Sequence, residues 1–439
     1  MDDLSKIADD ACETAIREGA EQAEVHVGRG RGFSTTLEKG AIKSTQASEY
    51  GWLSIRAFYR GGVGRSHANT LDRGRVRGAA TTAAALSRQA DPDPDFVSLP
   101  GPAPLPEVEG LYDDRIAGLS VADAIGVALA VTDDALRTVP EALVSGGSGV
   151  SVAEQALANS LGVRVASQRS YYGIGIEAII RRGDSVGQWF EHTSGHVAED
   201  FKPQDVGRIA AEGALKYLNA RDIPSGDYPV VLGPLASGSI YHSLAYHANA
   251  EDMQRNRSYL IGKRGQHIAS EVLTITDDAL IPRGMGSSCC DSEGVPHRPI
   301  TIVEDGVLLA YLHNSYTANK AGEPNTGHSV GDGVSPTNVN VALGTRTAAE
   351  LIAEIDDGIY LAAGGIHADS TTGQFSSTID FGFKIEKGEM AYPIRNAAMG
   401  GLFLDLLANV DAISSDYREE PGSLMPTIRV TSVRVAGSA

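Results

Sequence analysis

Tyr228-Pro-Val-Val-Leu-Gly-Pro234, running on into Leu235–Ala250 with His242-Ser243-Leu244-Ala245-Tyr246-His247 at its centre, reads as a short apolar strand, Pro229 to Leu232, followed by a helix that carries two histidines. The six-residue run also poses the chemical question. Hydrolysis at zinc needs neutral imidazoles to hold the metal and a carboxylate beside them to take a proton from bound water. The imidazoles are present. Where a carboxylate would follow the first of them, the chain has Ser243, whose hydroxyl is no base near neutral pH. A spacing of five also sets the two rings about 140° apart on a regular helix, so both face one ion only across a local bulge. Two hydrogen-bonded histidines without metal are the plain alternative.

Beyond this helix the chain reads as short apolar strands broken by glycine: Leu273 to Ile275, Ile300 to Val303, Val307 to Tyr311, Gly382 to Ile385 and Ile428 to Val435, with one more helix beginning near Thr347. Before it, Leu4, Ile7, Ala8, Ala11 and Ala15 recur at helical spacing and stop at Gly19. Strand-like pieces follow at Glu24–Gly28, Phe33–Leu37 and Trp52–Phe58, with glycine turns expected between them, then an alanine-rich helix at Arg75 to Leu86. From Asp91 to Gly110 repeated proline excludes helix and sheet interior, which predicts an extended connection. A helix near Val121 to Arg137, strands at Ser151–Glu154, Val163–Ser167, Gly175–Arg181 and Ser185–Glu191, and a helix near Gln204 to Tyr217 complete the pattern. The expectation is an α+β fold: an N-terminal α/β domain (1–90), a proline-rich connection (91–110), a β-containing middle domain (111–225) and a large β-rich C-terminal domain (226–439).

Composition narrows the function. With 42% hydrophobic and 21% charged residues the chain is of ordinary globular type and long enough for a large core. A net charge of −19 repels a phosphate backbone, so nucleic acid is not an expected partner. No run of about 18 apolar residues and no basic-then-apolar start is present, so neither a membrane span nor a signal peptide is expected and the cytoplasm is the expected compartment. Cys12, Cys289 and Cys290 cannot build a disulfide framework and read as reduced thiols.

Other polar clusters read plainly. Glu191-His192-Thr193-Ser194-Gly195-His196 offers a second close histidine pair for a metal, but polar residues of this kind are common at a strand end or loop, which is the expected reading. Cys289-Cys290, with His297 or His313 as a base, would make a nucleophile only if positive charge lowered the thiol pKa. Ser287, Ser288 and Asp291 supply none, so packing is the expected role. Gly28, Gly30 and Gly32, with Gly61, Gly62 and Gly64, lack the order of a nucleotide fingerprint and read as hairpin turns, and Ser145-Gly-Gly-Ser-Gly149 as a flexible turn.

The order of motifs along the whole chain resembles the TldD/PmbA family. Leu37-Glu-Lys-Gly40, Gly51-Trp-Leu-Ser-Ile-Arg56, Gly61-Gly-Val-Gly64 and Ala158-Asn-Ser-Leu-Gly162 look like its first and middle regions. Tyr228–Pro234, the histidine segment, Ser258–Glu271, Thr274-Ile-Thr-Asp-Asp278, Cys290-Asp-Ser-Glu-Gly-Val295, Asp305-Gly-Val-Leu308, Asn325-Thr-Gly-His328, Gly364-Gly365, Thr372-Gly-Gln-Phe375 and Ile385-Glu-Lys-Gly388 follow in the family's order. The resemblance implies a heterodimer of TldD, a zinc metallopeptidase with two histidines of an HExxxH segment and a C-terminal cysteine as ligands, and TldE (also called PmbA), which lacks that site. His242 and His247 match the histidine positions, Ser243 occupies the glutamate position, and the tail Glu419–Arg429 runs into the last strand without the cysteine. Cys290–Gly294 and Asn325–His328 look more like TldE.

The reading that follows is a non-catalytic TldE-like subunit acting on peptides beside a TldD-type partner, with no cofactor expected in this chain and any zinc held by that partner. The alternatives are an active hydrolase of a peptide or metabolite amide, with His242 and His247 on metal and Glu251 or Glu271 as base, and a homodimeric peptide-binding protein.

Overall fold

Val25, Val27 and Leu37 alternate onto one face of a single long strand, β1 (Gln22–Glu38), and all three are buried. The computed structural model describes residues 1–438. β1 continues with β2 (Ala41–Tyr59), β3 (Gly62–Ala68), β4 (Leu143–Asn159), β5 (Arg164–Arg182) and β6 (Ser185–Gly195) into one antiparallel sheet of order β3-β2-β1-β4-β5-β6. The proline-rich segment therefore lies between two halves of one sheet, since β1 pairs with β4 from Glu24↔Asn159 to Leu37↔Gly146.

Four helices cover the face to which Val25 points. Asp2–Arg17 and Arg73–Ser87 bury Leu4, Ala8, Ala80 and Ala83 against Val25, Leu53 and Ile55 at one end. Val121–Thr138 and Val206–Lys216 bury Val131, Ala135 and Ala210 against Val144, Ile176 and Ile180 at the other. Small residues let these helices lie close: a Cβ on Gly64 would come within 2.0 Å of the Ala83 carbonyl oxygen.

The expected turns at Gly28, Gly30 and Gly32 are corrected here, for all three lie inside β1. They leave room for rings on β2: a Cβ on Gly28 would stand 2.8 Å from the Trp52 indole, and one on Gly30 2.5 Å from the Tyr50 hydroxyl. Ser145–Gly149 likewise belongs to β4, where a Cβ on Gly147 would meet the Thr35 carbonyl at 2.6 Å. Gly61 and Gly62 do sit at a tight turn, Gly61 with φ +81°.

In the C-terminal part β7 (Gly226–Gly233) is central to an eight-stranded sheet, between Ser423–Ala436 on one side and Asp357–Ala363, its parallel neighbour, on the other. A four-stranded sheet includes Ile275–Asp277, Ile300–Glu304 and Val339–Val341. Pro234, which has no N–H to leave unpaired, opens the histidine helix Pro234–His247 directly after β7. Ile240, Tyr241, Leu244 and Ala245 are buried on it, so it is a core element of this domain. It ends before the expected Ala250 because Asn249 caps the next helix, accepting from the N–H groups of Glu251 and Asp252.

Residues 91–110 contain no helix or strand and form a strap. Phe96 stacks on Phe58 with ring centroids 4.3 Å apart, the Asn159 amide donates to the Pro100 carbonyl at 2.8 Å, and the Arg283 N–H donates to the Glu109 carbonyl at 2.9 Å.

Candidate functional site

The helix turns its two histidines to different surroundings. His242 is half-buried, and burial holds its pKa below the usual imidazole value with Asp277 working against it. His247 is buried, and burial depresses its pKa against the opposing bond to Ser243 and the charges of Asp252 and Asp369. Its Nδ1–H donates to the Ser243 carbonyl at 2.7 Å, which leaves Nε2 as its one acceptor. The Ser243 hydroxyl accepts the Ala368 N–H at 3.2 Å, tying the helix to the segment before Gln374–Thr378. Among the described residues no three His, Cys, Asp or Glu side chains are grouped so as to hold a metal ion. Zinc takes three or four protein ligands, so this donor set does not fit it. Glu251 is occupied by Arg255 at 2.7 Å, and Glu271 is exposed at a turn.

The tail that follows Asp416 closes over the same helix. Val410–Glu420 and Ser423–Ala436 are joined at Pro421-Gly422, with φ +87° at Gly422. Asn340 clamps the turn, accepting from the Leu424 N–H at 2.7 Å and donating to the Gly422 carbonyl at 3.0 Å. Ser237 of the helix donates to the Pro426 carbonyl at 2.6 Å. Arg418 reaches from the hairpin to β6, 2.6 Å from Glu191, and His192 stands 3.3 Å from Glu420, whose hydrogen bond raises the His192 pKa. His196 instead places Nδ1 2.6 Å from the Ser170 carbonyl, so the two histidines of that segment do not converge.

A cleft of about 980 Å³ opens between the uncovered face of the six-stranded sheet, the strap and the C-terminal domain. His26, Trp52 and Gln155 line it from the sheet, Pro106 and Glu109 from the strap, and Cys289, His297 and His328 from the far side. Arg56 joins the two parts, 2.7 Å from the buried Glu24 on β1, 3.6 Å from Glu293 and 3.1 Å from Asp332. Behind the far wall Asp277 receives His328. Asp291 accepts the N–H groups of Glu293, Val295 and Ser329, yet burial, and then the charge of Glu293, pushes its pKa up to about 7.

Residues 23–87 match the family model of PmbA/TldA metallopeptidase domain 1, residues 114–218 that of the central domain and residues 225–437 that of the C-terminal domain. The chain belongs to the PmbA/TldD family. It is 29% identical to a metalloprotease of Methanothermobacter thermautotrophicus, over 92% of this chain and 90% of the relative. It is 26% identical to the metalloprotease PmbA homolog of Haemophilus influenzae, over 98% of this chain and 95% of the relative. The fold is that of TldE from Thermococcus kodakarensis, with a TM-score of 0.89 and 23% identity over 98% of this chain and 100% of that one.

For this PmbA/TldD chain, one expectation from the flanking sequence is corrected. Ser287, Ser288 and Asp291 bring no positive charge to Cys289, but Arg169 from β5 does. The Cys290 thiol, 3.8 Å from Cys289 Sγ, then a backbone hydrogen bond and, after it, the charge of Arg169 draw the Cys289 thiol down against its burial, while Cys290 is pushed up. The partners of Asp277, Asp291 and Arg169 are not legible in residue type, because each meets them only through the fold.

Proposed function

We propose that this chain is a TldE-like, non-catalytic subunit of a TldD/TldE-type zinc metallopeptidase complex that acts on peptides. The observation that carries this reading is the histidine helix: two imidazoles with separate surroundings, Ser243 where the base would stand, and no third donor grouped with them among the described residues. The C-terminal hairpin turns at Pro421-Gly422 and packs on that helix, so the tail offers no ligand loop. Zinc in such a complex belongs to the partner. This chain supplies surfaces for an extended peptide or for the partner: the cleft beside the strap, and the open edge of β2, which β3 covers only from Leu53 to Tyr59. The complex works in the cytoplasm, where its three thiols stay reduced.

Co-expression with a TldD-type chain bearing an intact His-Glu-x-x-x-His segment tests this. A one-to-one complex in sedimentation, with chelator-sensitive cleavage of an unstructured peptide that neither the chain alone nor a homodimer performs, is the expected result. Chelator-sensitive cleavage by this chain alone would establish the hydrolase alternative. A stable homodimer that ignores the partner would establish the binding protein.

A further inference from the structure

Strand β5 has an edge that its neighbour covers only in part. β6 pairs with it from Tyr172 onward, so among the described residues no strand lies beside Arg164 to Tyr171 on that side. Ser170 shows which backbone groups point outward there: its N–H donates to the Leu111 carbonyl at 3.1 Å, and its carbonyl lies 2.6 Å from His196 Nδ1. By the two-residue period of a strand, Gln168 and Ala166 turn their N–H and carbonyl groups the same way, and among the described residues these groups have no backbone partner. Both residues line the 980 Å³ cleft. The strap runs past them in the direction of β5, from Pro100 at Asn159 to Leu111 at Ser170, and between those anchors no backbone–backbone hydrogen bond joins it to β5 among the described residues, so the edge stays open. At the end of this slot Arg169 stands on the cleft wall. Its guanidinium donates to the carbonyls of Met285, at 3.4 Å, and Ser287; the ionisable groups in its field are Cys289 and His196, and among the described residues no carboxylate pairs with it. Arg56 and Arg418, also half-buried, pair with Glu24 and Glu191. A half-buried guanidinium that meets only carbonyls keeps donors and charge for a guest.

We propose that this slot takes the C-terminal end of an extended peptide, added as a strand to the edge of β5 between Val165 and Gln168, with the terminal carboxylate on Arg169. Two features set the polarity of the guest. The edge is closed at Ser170, where Leu111 already occupies it and the Asp113 N–H donates to the Ser170 hydroxyl at 2.9 Å, so an added strand must end beside Gln168. At that end stands a cation, which takes a carboxylate and repels an amino terminus. The guest therefore runs parallel to β5, with about four residues in the slot. Its backbone meets the outward groups of Ala166 and Gln168, and Pro106, Val108 and Val165 offer its side chains apolar surface. Glu107 and Glu109, exposed on the strap, repel acidic side chains along the guest, so the charge pattern accepts one carboxylate, at the end. That the guest is a peptide rests on the function proposed above, whereas the place of the carboxylate rests on the geometry of this wall.

The test uses the full-length chain without a partner, in chelator so that hydrolysis is kept apart from binding, and a short unstructured peptide labelled at its N-terminus and read by fluorescence anisotropy. The peptide with a free C-terminal carboxylate is expected to bind on the order of tenfold more tightly than its C-terminal amide, and an amide whose last residue is glutamate to bind as weakly as the plain amide. Arg169→Gln is expected to bring the free acid to the level of the amide and to leave the amide unchanged. Because Arg169 also holds the loop Met285–Ser287, the decisive readings need no variant: N-methylation of alternate peptide nitrogens near the C-terminus should weaken binding at least on the order of tenfold in one phase and leave the other phase unaffected. Equal affinity of acid and amide, a side-chain carboxylate that binds as tightly as the terminal one, equal weakening in both phases, or no binding by any of these peptides would overturn the proposal. Assembly with a TldD-type chain is read separately: its failure with terminus binding intact would sink the subunit reading alone, and the converse would sink this site alone.

Discussion

Nε2 of His328 lies 2.8 Å from Oδ2 of Asp277, and both side chains are 1% exposed. Asp277 also accepts the Thr337 N–H at 2.7 Å and the Thr337 hydroxyl at 2.7 Å, and His328 Nδ1 stands 2.9 Å from Thr326. One carboxylate thus satisfies donors from two loops behind the cleft. Asp277→Ala strands all of them in the interior, and urea unfolding is expected to show a loss of about 3–5 kcal/mol. A loss under about 1 kcal/mol would mean that water replaces the carboxylate freely.

Two buried titrations on the same wall oppose each other. Burial, and then the neighbouring His328, holds His297 down to about 4, whereas Asp291 is pushed up to about 7. For His297 the unfolded chain binds the proton more tightly, so its contribution is present above about 6.5 and is lost as pH falls towards 4, by about 2 kcal/mol at pH 5. For Asp291 the folded chain binds the proton more tightly, so its contribution is present below about 4 and is lost as pH rises through 7. In His297→Gln only the second term remains. Relative to the unmodified chain, this variant should gain about 2 kcal/mol on going from pH 7 to pH 5 in urea midpoints, and equal pH slopes for the two would contradict it.

Gly64 and Gly78 separate packing from propensity. A Cβ at Gly64 would fall 2.0 Å from the Ala83 oxygen and 2.4 Å from the Ser87 nitrogen, both backbone atoms, whereas one at Gly78, exposed in the helix Arg73–Ser87, meets nothing within 4 Å. Gly64→Ala is expected to cost more than about 3 kcal/mol, because β3 and the helix must separate. Gly78→Ala is expected to stabilise by about 0.5–1 kcal/mol. Thermal unfolding of the two variants reads both signs.

Dialysed protein is expected to hold well under one zinc per chain by elemental analysis, given two imidazoles with separate surroundings. Ser243→Glu should not create peptidase activity. It also removes the hydroxyl that accepts the Ala368 N–H and places a carboxylate at a position 5% exposed, so a loss of about 2 kcal/mol or more should accompany it. One tightly held zinc, released by His242→Ala or His247→Ala, would contradict the first expectation, and chelator-sensitive turnover by the glutamate variant the second.

The elements readable from sequence were those whose side chains declare a period. Leu4, Ala8 and Ala15 mark the first helix, and the prolines after Asp91 mark the strap. Glycine hid the strands. At Gly28, Gly30 and Gly32, and again at Gly146, Gly147 and Gly149, the missing side chain removes the alternation that identifies a strand, while the room it leaves is taken by Trp52, Tyr50 or neighbouring backbone. Ser243 was legible because the position itself carries the chemistry. The Asp277–His328 pair was not, although both residues lie in motifs quoted from sequence, because 51 residues separate them. Arg169 was further hidden, since its bearing on Cys289 spans the sheet and the C-terminal domain.

The register of β1 on β4 makes the strap dispensable as a covalent link. Among the described residues no backbone–backbone hydrogen bond holds it between Pro100 and Glu109, while Glu24–Leu37 on one side of it and Gly146–Asn159 on the other are laced together, with Arg56 reaching Glu293 and Asp332 of the C-terminal domain and Arg418 of that domain reaching Glu191. A protease that nicks the chain within residues 101–108 would create two polypeptides that co-elute as one particle. The same two pieces expressed separately would complement each other, whereas the piece ending before the strap, left with the β4-facing edge of β1 bare from Glu24 to Leu37, would have no soluble existence of its own.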